Sequence, residues 1–322
     1  MPEATLMYPL QSADIGPMAA YGRLAERFGV RLWCGQSLQI ETHTLFAALT
    51  GMGIQVGFGT SVALTPLRHP YLAATEARSI AALSGQPFTA GYGPSGADFQ
   101  TNIYGTRLER PVAHTVDFVN KVRSLLDGTP TVMAPGGSQM ELLPIDDLPE
   151  IEIGMGVLRP AMARAAGRHA DAAITWLTPP GLLADQLVPA ARKAAQETDR
   201  TPPRFATVVQ VAVTRPGRDM HQIAYRGTHQ HLSLPHYVEM LKQSGLPVVH
   251  GDPAASSRTL LDAGVVVTGT PQSIAEQLTA WQRAGADEII LNTSGVLIAA
   301  GIGEALRDSA DILNAIAEQA TA

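Results

Sequence analysis

Residues 88–111 read FTAGYGPSGADFQTNIYGTRLERP, and this stretch sets the reading of the whole chain. The apolar run Phe88-Thr89-Ala90 ends in alternate glycines, Gly91 and Gly93, followed by Pro94-Ser95-Gly96. A long polar loop then feeds a helix expected from about Pro111 to Leu126. A strand that ends in small residues and leads into a helix leaves backbone N–H groups free to meet an anion, and lets a flat ligand approach the main chain. The stretch therefore reads as the mouth of a cofactor site.

Working outward, strand-like and helix-like runs alternate along the chain. Strands are expected at 4–8, 30–34, 55–59, 88–90, 151–153, 172–176, 205–213 and 288–291. Helices are expected between them, for example over 17–28, where Met18, Tyr21, Leu24, Ala25 and Phe28 recur at helical spacing and Gly29 closes the run. The strands are short and apolar on both faces, as buried parallel strands are. Eight strands each followed by a helix in 322 residues predict an α/β fold, a (β/α)8 TIM barrel with insertions. The expected domain organisation is a single barrel over 1–322, with insertions near 97–110, 129–149 and 219–260. The segment 129–149, rich in Gly, Pro and Asp, breaks the rhythm and reads as a hairpin insertion. An open doubly wound sheet would need a second domain and a linker, and no linker is visible.

Composition narrows the function. A net charge of −6 gives no bulk electrostatic case for nucleic acid or an anionic membrane surface. One cysteine, Cys34, rules out an internal disulfide framework and a cysteine-rich metal site, and reads as a small core residue. The beginning MPEATLMYPL lacks a basic region and an apolar core, so no signal peptide is expected. No apolar run reaches the ~18 residues of a membrane span. A cytoplasmic protein is expected.

A barrel places its active site at the C-terminal ends of its strands. Those ends are small, polar or aromatic and almost free of charge: Tyr8-Pro9, Gly35-Gln36-Ser37, Thr60-Ser61-Val62, Gly91-Tyr92-Gly93, Gly154-Met155-Gly156, Thr175-Trp176 and Asn292-Thr293-Ser294. Paired glycosidase carboxylates, a metallohydrolase His/Asp cluster, a GxSxG elbow and an HExxH motif are all missing from them. Such a rim suits a planar, uncharged ring that itself carries the hard chemistry. His221, His229, His231 and His236 are crowded, but no carboxylate pattern accompanies them, so a solvated or substrate-lining helix is expected and no metal.

The residues also carry a family resemblance. Residues 57–96, GFGTSVALTPLRHPYLAATEARSIAALSGQPFTAGYGPSG, resemble the third- and fourth-strand region of the luciferase-like flavin-dependent oxidoreductases. Four further stretches are similar to the branch that uses the deazaflavin coenzyme F420: YGTRLERPVAHTVDFVNKVRSLLDG (104–128), GVLRPAMARAAGRHADAAITWLTP (156–179), LSLPHYVEMLKQSGL (232–246) and VTGTPQSIAEQLTAWQRAGADEIILN (267–292). The resemblance implies a luciferase-like TIM barrel that binds F420, with FMN as the alternative, and is compatible with a homodimer. It implies cofactor contacts from Thr60, Ser61 and Val62, where relatives often have a non-prolyl cis peptide. It implies others from Gly91, Gly93, Ser95 and Asn102 in the fourth-strand loop, and from Gly154, Met155, Gly156 and Val157 in the fifth-strand loop as a phosphate seat.

One departure matters. Many relatives end the second strand with an acid/base pair such as Asp–His, whereas this chain has Gln36-Ser37. Gln36 can hydrogen-bond to a ring but cannot titrate, and Ser37 is a poor acid. A mechanism needing a base on a substrate hydroxyl is put in doubt, and hydride delivery to an activated double bond (an enone, an imine or a dehydroamino acid) of a small-molecule or peptide substrate fits better; an FMN-dependent monooxygenase and a cofactor-binding protein without turnover are the alternatives. Gln36, Ser37, Tyr8 and Trp176 are the candidate catalytic residues, although Tyr8 and Trp176 could equally cap the barrel core. His69, before Pro70, reads as a helix start. Arg107 and Arg110 are expected to pair with Glu109 and solvent rather than with an anionic cofactor tail.

Overall fold

Each apolar run becomes a strand because both of its faces are covered, one by the barrel interior and one by helices. The computed structural model describes residues 3–9 and 12–321; Met1, Pro2 and Leu10, part of the segment read above for a signal peptide, lie outside these. The strands in chain order are β1 (Glu3–Tyr8), β2 (Leu32–Cys34), β3 (Phe58–Thr60), β4 (Ala63–Leu64), β5 (Phe88–Gly93), β6 (Thr131–Val132), β7 (Gln139–Met140), β8 (Ile151–Gly156), β9 (Ala172–Trp176), β10 (Arg204–Val213), β11 (Val266–Gly269) and β12 (Glu288–Asn292). Eight of them, β1-β2-β3-β5-β8-β9-β10-β12, pair in parallel, and β12 returns to β1 to close the barrel. The fold is a TIM barrel.

Helices cover the outside as the periodicity predicts. Ile15–Phe28 buries Met18, Tyr21 and Ala25 and ends at Gly29, whose φ of 64° suits a residue without Cβ. The helix Pro111–Leu126 matches its expected limits. His69 starts the helix Pro70–Ser84, its Nδ1 accepting the Tyr71 N–H. The insertion at 129–149 carries the expected hairpin, β6 against β7. No helix among the described residues is long and apolar enough to cross a membrane.

Three expectations differ. The third strand begins at Phe58 rather than Gln55, because its neighbours pair with it only from Leu32 and Phe88 onward. Residues 97–104, expected as loop, form the helix Ala97–Tyr104; its one buried residue is the polar Gln100, so no apolar stripe announced it. β11, absent from the eight expected strands, runs along the C-terminal half of β10, which at ten residues overshoots the barrel and offers a free edge.

Inside, the barrel is layered. At the N-terminal end Glu288 accepts hydrogen bonds from Thr5 (2.6 Å) and Trp33 Nε1 (2.5 Å) and pairs with Arg204, which also binds Glu152 at 2.6 Å. Above this ionic plug lie Met7, Trp33, Ile174, Ala206, Val208 and Ile290. Trp33 fits because Gly59 faces it: a Cβ there would lie 2.5 Å from the indole. The mouth opens above these residues.

Candidate active site

The third strand sets the floor of the mouth. The Ser61–Val62 peptide is cis, at the position the resemblance indicated. Ser61 is buried, its N–H donating to the Cys34 carbonyl at 3.0 Å. Val62 packs against two facing glycines: a Cβ on Gly93 would come within 2.7 Å of Val62 Cγ2, and one on Gly156 within 3.4 Å. Gly91 and Gly154 lie one layer deeper, where a Cβ on Gly91 would stand 2.1 Å from the Thr60 carbonyl and one on Gly154 2.8 Å from Ile174 Cδ1. These two glycines serve barrel closure. Thr60 does likewise, since its hydroxyl donates to the Gly91 carbonyl (2.9 Å) and accepts the Gly91 N–H (2.8 Å).

Trp176 spans the mouth. From the end of β9 its indole N–H reaches the Ser61 carbonyl at 3.0 Å, tying the fifth and sixth barrel strands' side of the rim to the third-strand turn. The following residue, Leu177, takes a φ of 50°, a strained conformation for a branched side chain that turns the chain away at once. On the indole face lies His231, ring centroids 4.8 Å apart and planes at 25°. Tyr237 meets His231 edge-on at 4.9 Å, and His236 meets Tyr237 at 4.8 Å. His236 in turn abuts the fourth-strand loop, where a Cβ on Gly96 would be 3.1 Å from its Cε1. That loop is held by Gln100, whose amide donates to the carbonyls of Pro94 (2.9 Å) and Ser95 (3.1 Å); Ser95 sits at φ 65°.

Three groups in this cluster have shifted protonation, one of them the Tyr237 hydroxyl, whose pKa burial raises. Burial, with His236 and His229 nearby, pushes His231 down to about 4, so its imidazole is neutral at pH 7. His236 is lowered by burial and by Arg159. His231 Nδ1 is enclosed and has no hydrogen-bond partner.

Across the rim Gln36 is held by an ionic cluster that sequence reading missed. Its Oε1 accepts from Arg68 Nη1 at 3.1 Å, and its amide donates to the Ser37 carbonyl at 2.8 Å. The buried Arg68 is gripped by Glu41 at 3.1 Å and Glu76 at 3.2 Å, and His43 Nδ1 lies 2.8 Å from Glu41. Burial alone would raise the Glu41 pKa, but His43, the Thr44 N–H and Arg68 outweigh it and bring the carboxyl down to about 2. Glu41, His43 and Glu76 could converge on a cation, yet the guanidinium already occupies both carboxylates, so the cluster is a structural ion-pair group. Ser37 caps a turn, its hydroxyl accepting from the N–H groups of Gln39 and Ile40.

Several expected residues lie elsewhere. Tyr8 points outward and packs edge-on against Tyr21 at 5.7 Å in the layer between barrel and helices, because alternation along β1 turns Met7, not Tyr8, inward. Met155 is buried in that same outer layer, one residue out of step with Gly154 and Gly156. Val157 is also buried there, and its N–H donates to the Ile174 carbonyl at 2.7 Å, so it has no N–H to offer a phosphate. Asn102 is exposed on the helix Ala97–Tyr104. Arg107 and Arg110 are exposed, and neither pairs with Glu109 among the described contacts. Cys34 is a core residue, as expected.

A sequence profile described as luciferase-like monooxygenase matches residues 2–288. The chain belongs to the luciferase-like family. This is a family of oxidoreductases and monooxygenases. Solved structures share its fold at low identity. An F420-dependent secondary alcohol dehydrogenase in complex with an F420-acetone adduct is 16% identical, over 98% of this chain and 99% of that one, with a TM-score of 0.73. The coenzyme F420-dependent tetrahydromethanopterin reductase from Methanopyrus kandleri is 14% identical, over 99% of both chains, with a TM-score of 0.72. The oxygenating constituent of 3,6-diketocamphane monooxygenase from Pseudomonas putida, in complex with FMN, is 15% identical, over 99% of this chain and 98% of that one, with a TM-score of 0.73. The luciferase-like barrel thus occurs with either cofactor among these neighbours.

Proposed function

We propose that this luciferase-like protein is an F420H2-dependent reductase that passes a hydride to an activated double bond of a small-molecule or peptide substrate. The observation that carries the reading is the mouth itself. A cis peptide and small residues form its floor, an indole and an imidazole stand over it, and no carboxylate is among the contacts described above for these groups. A neutral donor set, with the enclosed Nδ1 of His231 left unpaired, fits the nitrogen and carbonyl edge of a flavin-type ring. Val62, Gly93, Gly156 and Trp176 would hold that ring. When bound, the deazaflavin supplies a hydride, and the chain orients it and keeps water from the reacting face. The F420-dependent neighbours support this choice of cofactor.

An FMN-dependent monooxygenase is the second reading, supported by the family profile and by the FMN-bound neighbour. Titrating the purified protein with F420 and with FMN, followed by fluorescence quenching, separates the two. F420 binding together with acceptor-dependent F420H2 oxidation without oxygen is the expected result. Micromolar FMN affinity with no F420 binding would overturn the first reading in favour of the second.

A further inference from the structure

Reduction of a double bond needs a proton as well as a hydride, and the second strand has none to give. Gln36 cannot titrate, and its amide is fixed by Arg68. Tyr8 lies outside the barrel interior. We infer that His231, on the helix Met220–Leu232, is the residue that carries the proton to and from the substrate, a role resting on the reductase reading above.

Geometry carries the assignment. His231 lies against the indole that bridges to Ser61, beside the cis peptide, and its ring is fixed on two sides, by Trp176 face-on and by Tyr237 edge-on. Fixed rings give a proton carrier its orientation without a further hydrogen bond. Nδ1 is enclosed yet unpartnered, a costly state for a buried polar atom. Nε2 is not among the enclosed atoms of this half-buried residue, so it is the ring nitrogen open to a substrate oxygen or carbanion. The charged and titratable groups around it are Tyr237 and His236 on the helix Pro235–Gln243, His229 on its own helix, and Arg159, which faces His236. None is a carboxylate that would hold the imidazole protonated.

The step balances as follows. The carbon–carbon, carbon–nitrogen or carbon–oxygen π bond of the acceptor breaks as a C–H bond forms with the hydride, so the acceptor is reduced and F420H2 is oxidised to F420. The neutral His231 ring takes up one proton from solvent, balanced by the one that cofactor oxidation releases there, and as the imidazolium passes it to the electron pair released onto the α-carbon, nitrogen or oxygen, returning to the neutral imidazole. In the reverse direction the neutral imidazole accepts the substrate proton, which would permit alcohol or amine oxidation despite Gln36.

Two measurements test this. In the cofactor-free protein, Trp176 is the partly exposed member of the three tryptophans, Trp33 and Trp281 being buried. A stacked imidazolium quenches an indole, so tryptophan emission should fall on acidification with a midpoint near 4. His231→Asn should abolish that transition and His229→Asn should keep it. In the second, wild-type protein and both variants are titrated with F420 and assayed anaerobically with F420H2 and three probes: 2-cyclohexen-1-one, an N-acyl dehydroalanine ester and acetone. His231→Asn should retain F420 affinity within about threefold and lose roughly 100- to 10,000-fold in kcat, while His229→Asn stays within about twofold. A His231→Asn variant that keeps wild-type kcat, or an acid transition that survives in it, overturns the proposal. Wild-type protein that binds no F420, or oxidises F420H2 with none of the probes, instead sinks the reductase reading, and the proposal with it.

Discussion

A methyl group added at Gly91 would sit 2.1 Å from the Thr60 carbonyl oxygen and 2.4 Å from Ile174 Cδ1, inside the barrel wall. The first neighbour is backbone and cannot swing aside, so Gly91→Ala has to part β3 from β5. Overpacking of this kind costs about 1–3 kcal/mol, and the urea midpoint should fall accordingly. An unchanged midpoint would mean that the wall yields. Gly93 is the gentler neighbour, since the atom its methyl would meet is a valine side-chain carbon. At Arg68 the cost has another origin. Its guanidinium sits almost wholly buried between Glu41 and Glu76, and Arg68→Met leaves both carboxylates without their cation. Breaking a buried pair from one side costs about 3–5 kcal/mol; partial exposure of Glu41 places the expectation at the low end. Thermal denaturation measures the loss.

Among the elements, the indole of Trp176 acts as a strap from β9 to the turn after β3. Trp176→Phe keeps a ring against His231 but removes the hydrogen bond to Ser61. The expected stability loss is about 0.5–1.5 kcal/mol. F420 affinity, read by fluorescence titration, should drop several-fold because the floor beneath the ring is no longer tied. Unaltered affinity would detach the strap from cofactor binding. The helix Ala97–Tyr104 has a comparable dependence on one residue: Gln100 supplies both carbonyl contacts that hold the Pro94–Ser95 turn and accepts the Leu108 N–H at 3.3 Å. A polar residue that buries itself to serve backbone groups leaves no periodic trace, which is why this helix was invisible in the sequence.

For the whole molecule, the ionic plug of the barrel makes stability depend on acid. Burial works to raise the Glu152 pKa, but its bonds to Arg204 and Thr89 outweigh that and hold it below the ordinary value of 4.5. Outside the plug, Glu41 is brought down to about 2. A carboxylate depressed in the folded state contributes stability that is present above its unfolded pKa and lost as pH falls through the folded one. Glu3, raised mainly by burial, works in the opposite sense. His231, held down to about 4 from 6.5, adds a loss that begins as pH drops below the unfolded value. The melting temperature should therefore decline from about pH 6.5 and more steeply below about pH 4.5. Thermal melts between pH 7 and 2, approximate limits that bracket these groups, check this, and a flat profile would refute it.

The alternation of apolar runs with helical periods determined the barrel, because buried parallel strands and amphipathic helices each leave a distinct period in sequence. It also located the mouth at the small residues following those strands, and the cis Ser61–Val62 peptide fell where the resemblance indicated. Tertiary structure decided what each residue in those stretches does. Strand alternation sent Tyr8 and Met155 outward, and ladder pairing used the N–H of Val157. Gly91 and Gly154 serve packing, since only neighbouring strands could show how little room they have. The ring cluster of Trp176 and His231 joins residues 55 positions apart on different elements, and the Arg68 group gathers side chains from a strand end, a turn and two helices. Contacts of that kind are set by closure of the barrel, and no local period or spacing records them.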